Sequence, residues 1–101
     1  MQKSIRWIIC LALLTPTLAM AASTIEGKNI YDRNCAMCHG AQGISVMASA
    51  PSFKRGQGLF KSDFTLMEHI KKGKNACPAF IGILRDQQIF DVIAYLRTLY
   101  P

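Results

Sequence analysis

Residues 35–40 read CAMCHG, two thiols three positions apart with an imidazole directly after the second. On a helical turn, side chains at i and i+3 share a face. Cys35 and Cys38 can therefore add to the two vinyl groups of a haem while His39 reaches the iron as the proximal ligand. Two other chemistries use the same residue types. A thioredoxin-like redox pair needs a preceding strand in a βαβ unit, which the sequence pattern lacks. A zinc site needs a second ligand pair, for which Cys77 and His69 are poorly spaced. The arrangement points to one covalent haem c, and it leaves Cys77, in NACPAF, asking for a role of its own.

The compartment follows from the start of the chain. In MQKSIRWIICLALLTPTLAMAAS, Lys3 and Arg6 precede an apolar run from Trp7 to Leu14, and small residues follow at Ala19 and Ala21, the layout of a secretory signal. Cleavage is expected after Ala21, with Ala22 the next choice, giving a signal peptide at 1–21 and one domain at 22–101. An uncleaved anchor is the competing expectation, although the apolar run is short for a bilayer span. A lipoprotein would need a cysteine at the cleavage site, whereas Cys10 lies inside the apolar run. Of the 4 cysteines, loss of Cys10 leaves three, an odd number that an all-disulfide framework in an oxidising compartment does not accommodate. Loss of Lys3 and Arg6 takes the 12 basic residues to 10 against 6 acidic ones, a net charge of +4. That is mildly basic and not a nucleic-acid footprint. The expected product is a soluble, periplasmic monomer with peripheral or no membrane contact. Its length of about 80 residues makes a protein-only core marginal, and a buried macrocycle would supply what is missing.

Helical signals occur at three places. Thr24 can cap a first helix that carries Ile30, Tyr31, Cys35 and Cys38 along one side. Ser62 or Asp63 can cap a second, with Leu66, Met67 and Ile70 on its apolar face, Lys71 and Lys72 in its last turn and Gly73 as its stop. A third begins near Asp86, where Ile89, Val92, Ile93, Leu96, Leu99 and Tyr100 recur at helical spacing before Pro101. ISVMASAPSFKRGQGLF, between the first two, reads as a wrapping loop, and no strand alternation is present. The predicted fold is all-α, three to five helices wrapped around one haem.

Taken in order, these motifs make the chain resemble the small class I bacterial c-type cytochromes over nearly all of the domain. The matching positions are Gly27 and Tyr31, Cys35 to Gly40, Pro51, Pro78 with Phe80, and AYLRTL from Ala94. The resemblance implies that Gly27 and Tyr31 pack against the last helix near Tyr95 and Leu96. It also implies that the Pro51 carbonyl accepts the Nδ1 proton of His39, and that Phe80 belongs to the loop carrying the second axial ligand. The departure lies in that loop, where the family places a methionine and this chain has Cys77.

Three expectations for the sixth iron position stay open. In order, they are Cys77 as a thiolate, an open or water-bound iron with a free thiol nearby, and a thioether from Met47 or Met67. A lone exported thiol also invites an intermolecular disulfide. His69 reads as a solvated helix residue. Lys54, Arg55, Lys61, Lys71, Lys72 and Lys74 are either an ordinary solvated face or a docking group for an acidic redox partner. The function expected is one-electron transfer between partner proteins, with no enzyme activity because the chain is too short for a substrate domain. The alternative is a haem protein that handles a small ligand or a sulfur species at an open or Cys77-ligated iron.

Overall fold

The periodicity of the last helix decides the architecture, because its two apolar faces point to different neighbours. The computed structural model describes Pro16 and residues 21–101. The expected signal segment 1–21 otherwise lies outside the described residues. Four α-helices are present among them: α1 (Thr24–Asn34), α2 (Ala36–His39), α3 (Asp63–Lys72) and α4 (Asp86–Leu99), with a 3-10 turn at Phe53–Arg55. Lys74 and Cys77 form an isolated bridge, and no longer strand occurs among the described residues.

On α4, Val92 and Leu96 are one turn apart and pack with Ile30 and Tyr31 of α1 and with Leu59. Ile89 and Ile93, also one turn apart, pack with Leu66 and Met67 of α3. The half-buried Leu84 touches both clusters. Each cluster is small, in keeping with the length of the chain. Met67 is only 7% exposed and packs in the second cluster, the core position its place on the apolar face of α3 predicts.

The helix ends have local causes. Ser23, not Thr24, caps α1: its backbone is extended and its hydroxyl accepts the Glu26 N–H at 3.2 Å. Its own N–H donates to the buried Asp91 carboxylate at 2.8 Å, tying the start of α1 to α4. Ser62 caps α3 by accepting the Thr65 N–H at 3.1 Å, and Gly73 ends it. Arg97 fastens the approach to α3, donating to the Leu59 carbonyl at 2.8 Å, the Lys61 carbonyl at 2.9 Å and the Asp63 carboxylate at 2.6 Å. The sequence predicts one continuous helix through Cys38. Instead Cys35 leaves helical geometry at φ −120° and ψ −36°, and α2 restarts after it. The Cys38 N–H still reaches the Cys35 carbonyl at 3.2 Å, so the two thiols remain one turn apart. Among the described residues, no helix is long and apolar enough to cross a membrane.

Gly27 is where α1 meets α4. A Cβ there would fall on the Asp91 carbonyl and within 3.0 Å of the Tyr95 Cβ, and neither the carbonyl nor the helix behind it can yield cheaply. Gly27→Ala should destabilise the protein by roughly 2–3 kcal/mol through this overpacking. Chemical denaturation read by far-ultraviolet circular dichroism checks it, with an unchanged midpoint as the contrary result.

Candidate haem site

Tyr31, fully buried on α1, donates its hydroxyl to the Gly40 carbonyl at 2.6 Å. This bond anchors the far end of the CAMCHG turn to the helix crossing. The chain after Gly40 then folds back over α2. The Cys38 carbonyl accepts the Val46 N–H at 3.0 Å and the Ser45 hydroxyl at 3.3 Å, and the Ser45 N–H donates to the hydroxyl of the buried Ser52 at 3.0 Å. The return brings the Pro51 carbonyl to 3.0 Å from Nδ1 of His39. A carbonyl oxygen can only accept, so the proton must sit on Nδ1, and Nε2 keeps its lone pair for a metal. Phe53 lies against the imidazole, ring centroids 4.5 Å apart and 21° from parallel, and meets Tyr31 edge-on at 6.4 Å.

Cys35 and Cys38 are half-buried free thiols. Burial first, and then the neighbouring Cys77 and Cys38 thiols, push the Cys35 thiol up to about 12. Cys77 is an exposed residue whose sulfur is partly shielded. That shielding raises its pKa, the Lys74 backbone opposes the rise, and charge on Cys38 adds to it. The three thiols thus share one electrostatic neighbourhood. Among the described residues, no three His, Cys, Asp or Glu side chains converge on a single point, so the donors are not arranged as a zinc site. Two free thiols one turn apart beside a prepared imidazole suit a macrocycle, which takes them at separate carbons and needs only further donors for its metal. Val46, Phe60, Phe64, Ile81 and Ile83 are between 66% and 79% exposed, apolar surface that a large flat apolar group would cover. On donor set and apolar surface together, the residues present fit a covalently held haem.

The Cys77 segment is a strap pinned to the end of α3. Lys74 and Cys77 exchange both backbone hydrogen bonds, at 3.1 and 2.9 Å, and the Phe80 and Ile81 N–H groups cap the Ile70 and Lys71 carbonyls at 3.1 and 3.2 Å. Gly73, at φ +72°, lies so close beneath that a Cβ would come within 2.6 Å of the Cys77 carbonyl. Phe80 is buried, Pro51 is exposed, and Met47 sits on the wrapping loop with its N–H on the Ser45 hydroxyl. His69 is exposed on α3. Of the six cations singled out in the sequence, Lys71 pairs with Asp86 at 2.8 Å and Lys72 with Glu68 at 3.5 Å. Lys54, Arg55, Lys61 and Lys74 have no ion-pair partner among the described residues. Sequence patterns did not single out Phe53, Ser45 or Ser52. An aromatic two residues after Pro51 is the signal that would have marked Phe53, whereas nothing local marks a serine whose partner lies across a loop.

The family profile described as "Cytochrome C oxidase, cbb3-type, subunit III" matches residues 22–96. A cytochrome c6 from Thermosynechococcus vestitus is 40% identical over 92 residues, spanning 88% of this chain and 80% of that protein. A cbb3-type cytochrome c oxidase subunit CcoP from Azospirillum brasilense is 36% identical over 78% of this chain but only 29% of its own length. The crystal structure of cytochrome c6 from the diatom Phaeodactylum tricornutum superposes with a TM-score of 0.65 at 32% identity, covering 76% of this chain and 93% of that one. Under denaturing conditions the mature protein should exceed its polypeptide mass by one haem, and iodoacetamide should then label one thiol, that of Cys77. Three labelled thiols at the bare polypeptide mass would be the contrary result.

Proposed function

This chain belongs to the c-type cytochrome family, whose members carry covalently attached haem c, and we propose that it is an exported one-electron carrier. In the proposed site Cys35 and Cys38 would hold the haem through their sulfurs, and His39 and Cys77 would supply donors to its iron. The observation that carries the proposal is the His39–Pro51 hydrogen bond beside two free thiols one turn apart. Export rests on the charged and apolar layout of residues 1–21, and the family match beginning at residue 22 supports a domain boundary there.

The bound haem supplies the one-electron iron couple. The chain's part is to fix the ligands, exclude water and set the potential. His39, oriented by Pro51 and backed by Phe53, donates through Nε2 without searching for its rotamer. By the sequence resemblance Cys77 takes the position of the family's methionine, on a strap whose backbone bonds leave little freedom. As a thiolate it is a stronger, anionic donor that favours the oxidised metal. Pro78 keeps Cys77 extended at the turn. Lys54, Arg55, Lys61 and Lys74 would steer an acidic redox partner toward the protein, an effect that fades as salt rises.

The exposure of Cys77 favours a second reading, in which its thiol meets a small ligand or a sulfur species at an intermittently open iron. The two separate on the ferric spectrum: six-coordinate low-spin for the carrier, high-spin with rapid carbon monoxide binding on reduction for the alternative. For the carrier, Cys77→Met should raise the reduction potential and bring in the weak near-infrared sulfur-to-iron band of a thioether ligand. Cys77→Ala should open the site to added imidazole. If both variants keep the parent's ferric spectrum and potential, Cys77 is not a ligand. Lys74→Glu should slow association with an acidic partner and flatten its salt dependence while leaving the potential nearly unchanged. Stopped-flow rates that are equal for parent and variant at low salt would leave Lys74 as a solvated residue.

A further inference from the structure

The peptide unit between Pro51 and Ser52 has two polar ends, and both are used. Its carbonyl, on Pro51, faces His39 Nδ1 at 3.0 Å. Its N–H, on Ser52, donates to the side-chain Oε1 of Gln57 at 2.8 Å. In a trans peptide the C=O and N–H point in opposite directions from one rigid plane, and no cis bond occurs among the described residues. Whatever fixes the N–H therefore aims the carbonyl.

Ser52 needs such an acceptor because it precedes the 3-10 turn at Phe53–Arg55, where the chain supplies no backbone partner for its N–H. The turn closes from the other side: the Ser52 carbonyl accepts the N–H groups of Arg55 at 3.1 Å and Gln57 at 3.3 Å. Gln57 thus grips Ser52 twice, by backbone and by side chain. The Ser52 hydroxyl, accepting the Ser45 N–H, fixes the same residue from the α2 side. We propose that Gln57 is a positioning residue for the axial imidazole, holding the Pro51–Ser52 peptide so that its carbonyl keeps the proton on Nδ1 of His39.

Two physical effects run through this chain of bonds. The first is orientation. With Gln57 shortened or made apolar, the Ser52 N–H lacks its partner, and the peptide turns toward water to regain one. That rotation carries the Pro51 carbonyl off the His39 axis. The second is polarisation, since an amide whose N–H is engaged is a better acceptor at its carbonyl. Both effects make His39 a more electron-rich donor in the parent protein than in a variant lacking the Gln57 acceptor. The inference rests on the proposed role of His39 as iron ligand and is independent of Cys77.

The test uses mature holoprotein carrying Gln57→Leu, which keeps side-chain bulk and removes the acceptor, and Gln57→Glu, which keeps an oxygen at the same reach. In the ferrous state, hydrogen exchange of the His39 Nδ1 proton is followed by NMR alongside the reduction midpoint and global stability. Gln57→Leu should speed that exchange by about tenfold, the factor that one lost hydrogen bond of ordinary net strength supplies. It should also raise the midpoint, while Gln57→Glu restores slow exchange. If Gln57→Leu yields no holoprotein, Gln57→Asn, one methylene too short to reach Ser52, takes its place in the comparison. Exchange and midpoint equal to the parent's would overturn the inference, as would an acceleration no greater than the fall in global stability accounts for. A parent protein with no ring-current-shifted His39 signal would instead overturn the ligand assignment on which the inference stands.

Discussion

The hydrogen bond from the buried Tyr31 hydroxyl to the Gly40 carbonyl joins the two halves of this molecule's problem, folding a small chain and positioning the CAMCHG turn. Tyr31 is held by the α1–α4 crossing, where it meets Tyr95 edge-on at 5.3 Å. Gly40 ends the turn that carries both thiols and the imidazole. A buried hydroxyl left without an acceptor is costly, so the crossing and the turn constrain each other. The close approach at Gly27 lets Tyr31 sit deep enough to make the bond.

From that anchor the site is built by return of the chain, not by further helices. Residues 41–57 contribute one short turn of regular structure, yet their backbone groups find partners on Cys38, Gly43, Ser52 and one another. This accounting gives a loop of small and polar residues a defined path, where a search for periodicity finds nothing. The two apolar clusters on either side of α4 are too small to explain the exposed Phe60, Phe64, Ile81 and Ile83. A haem lying between the wrapping loop and the Cys77 strap would complete the core, which is why cofactor and fold are one stability question here.

The parts legible in the sequence were those with a period or a fixed spacing. The apolar residues of α4, the Ser62 cap and Gly73 stop of α3, and the C-x-x-C-H motif each carry their cause within a few residues. The break at Cys35 was not legible, because nothing in the local spacing separates a continuous helix from two helices sharing a turn. Met67, on the apolar face of α3 by its spacing, packs in the core against Ile89 and Ile93 as that spacing implies. The pairing of Lys71 with Asp86 was not legible either, since the two lie on different helices, whereas the i,i+4 spacing of Glu68 and Lys72 announces theirs. Phe53 and Gln57 work through residues that a loop brings close, and loop closure leaves little trace in composition.

The electrostatic sign of the proposed site follows from distance. The excess of basic residues disfavours the oxidised, more positive iron and so raises the potential, whereas a Cys77 thiolate favours that state and lowers it. The lysines stand in solvent, where screening over roughly 8 Å at physiological salt weakens their reach. A thiolate bound as proposed would act at contact distance, where one charge outweighs several screened ones. On that proposal the ligand would set the direction of the potential, and the lysines would mainly set how partners approach. The strap geometry is consistent with that division. The backbone bonds between Lys74 and Cys77 fix the loop that carries the thiol, while Lys74, at the other end of the same bridge, is exposed at the surface.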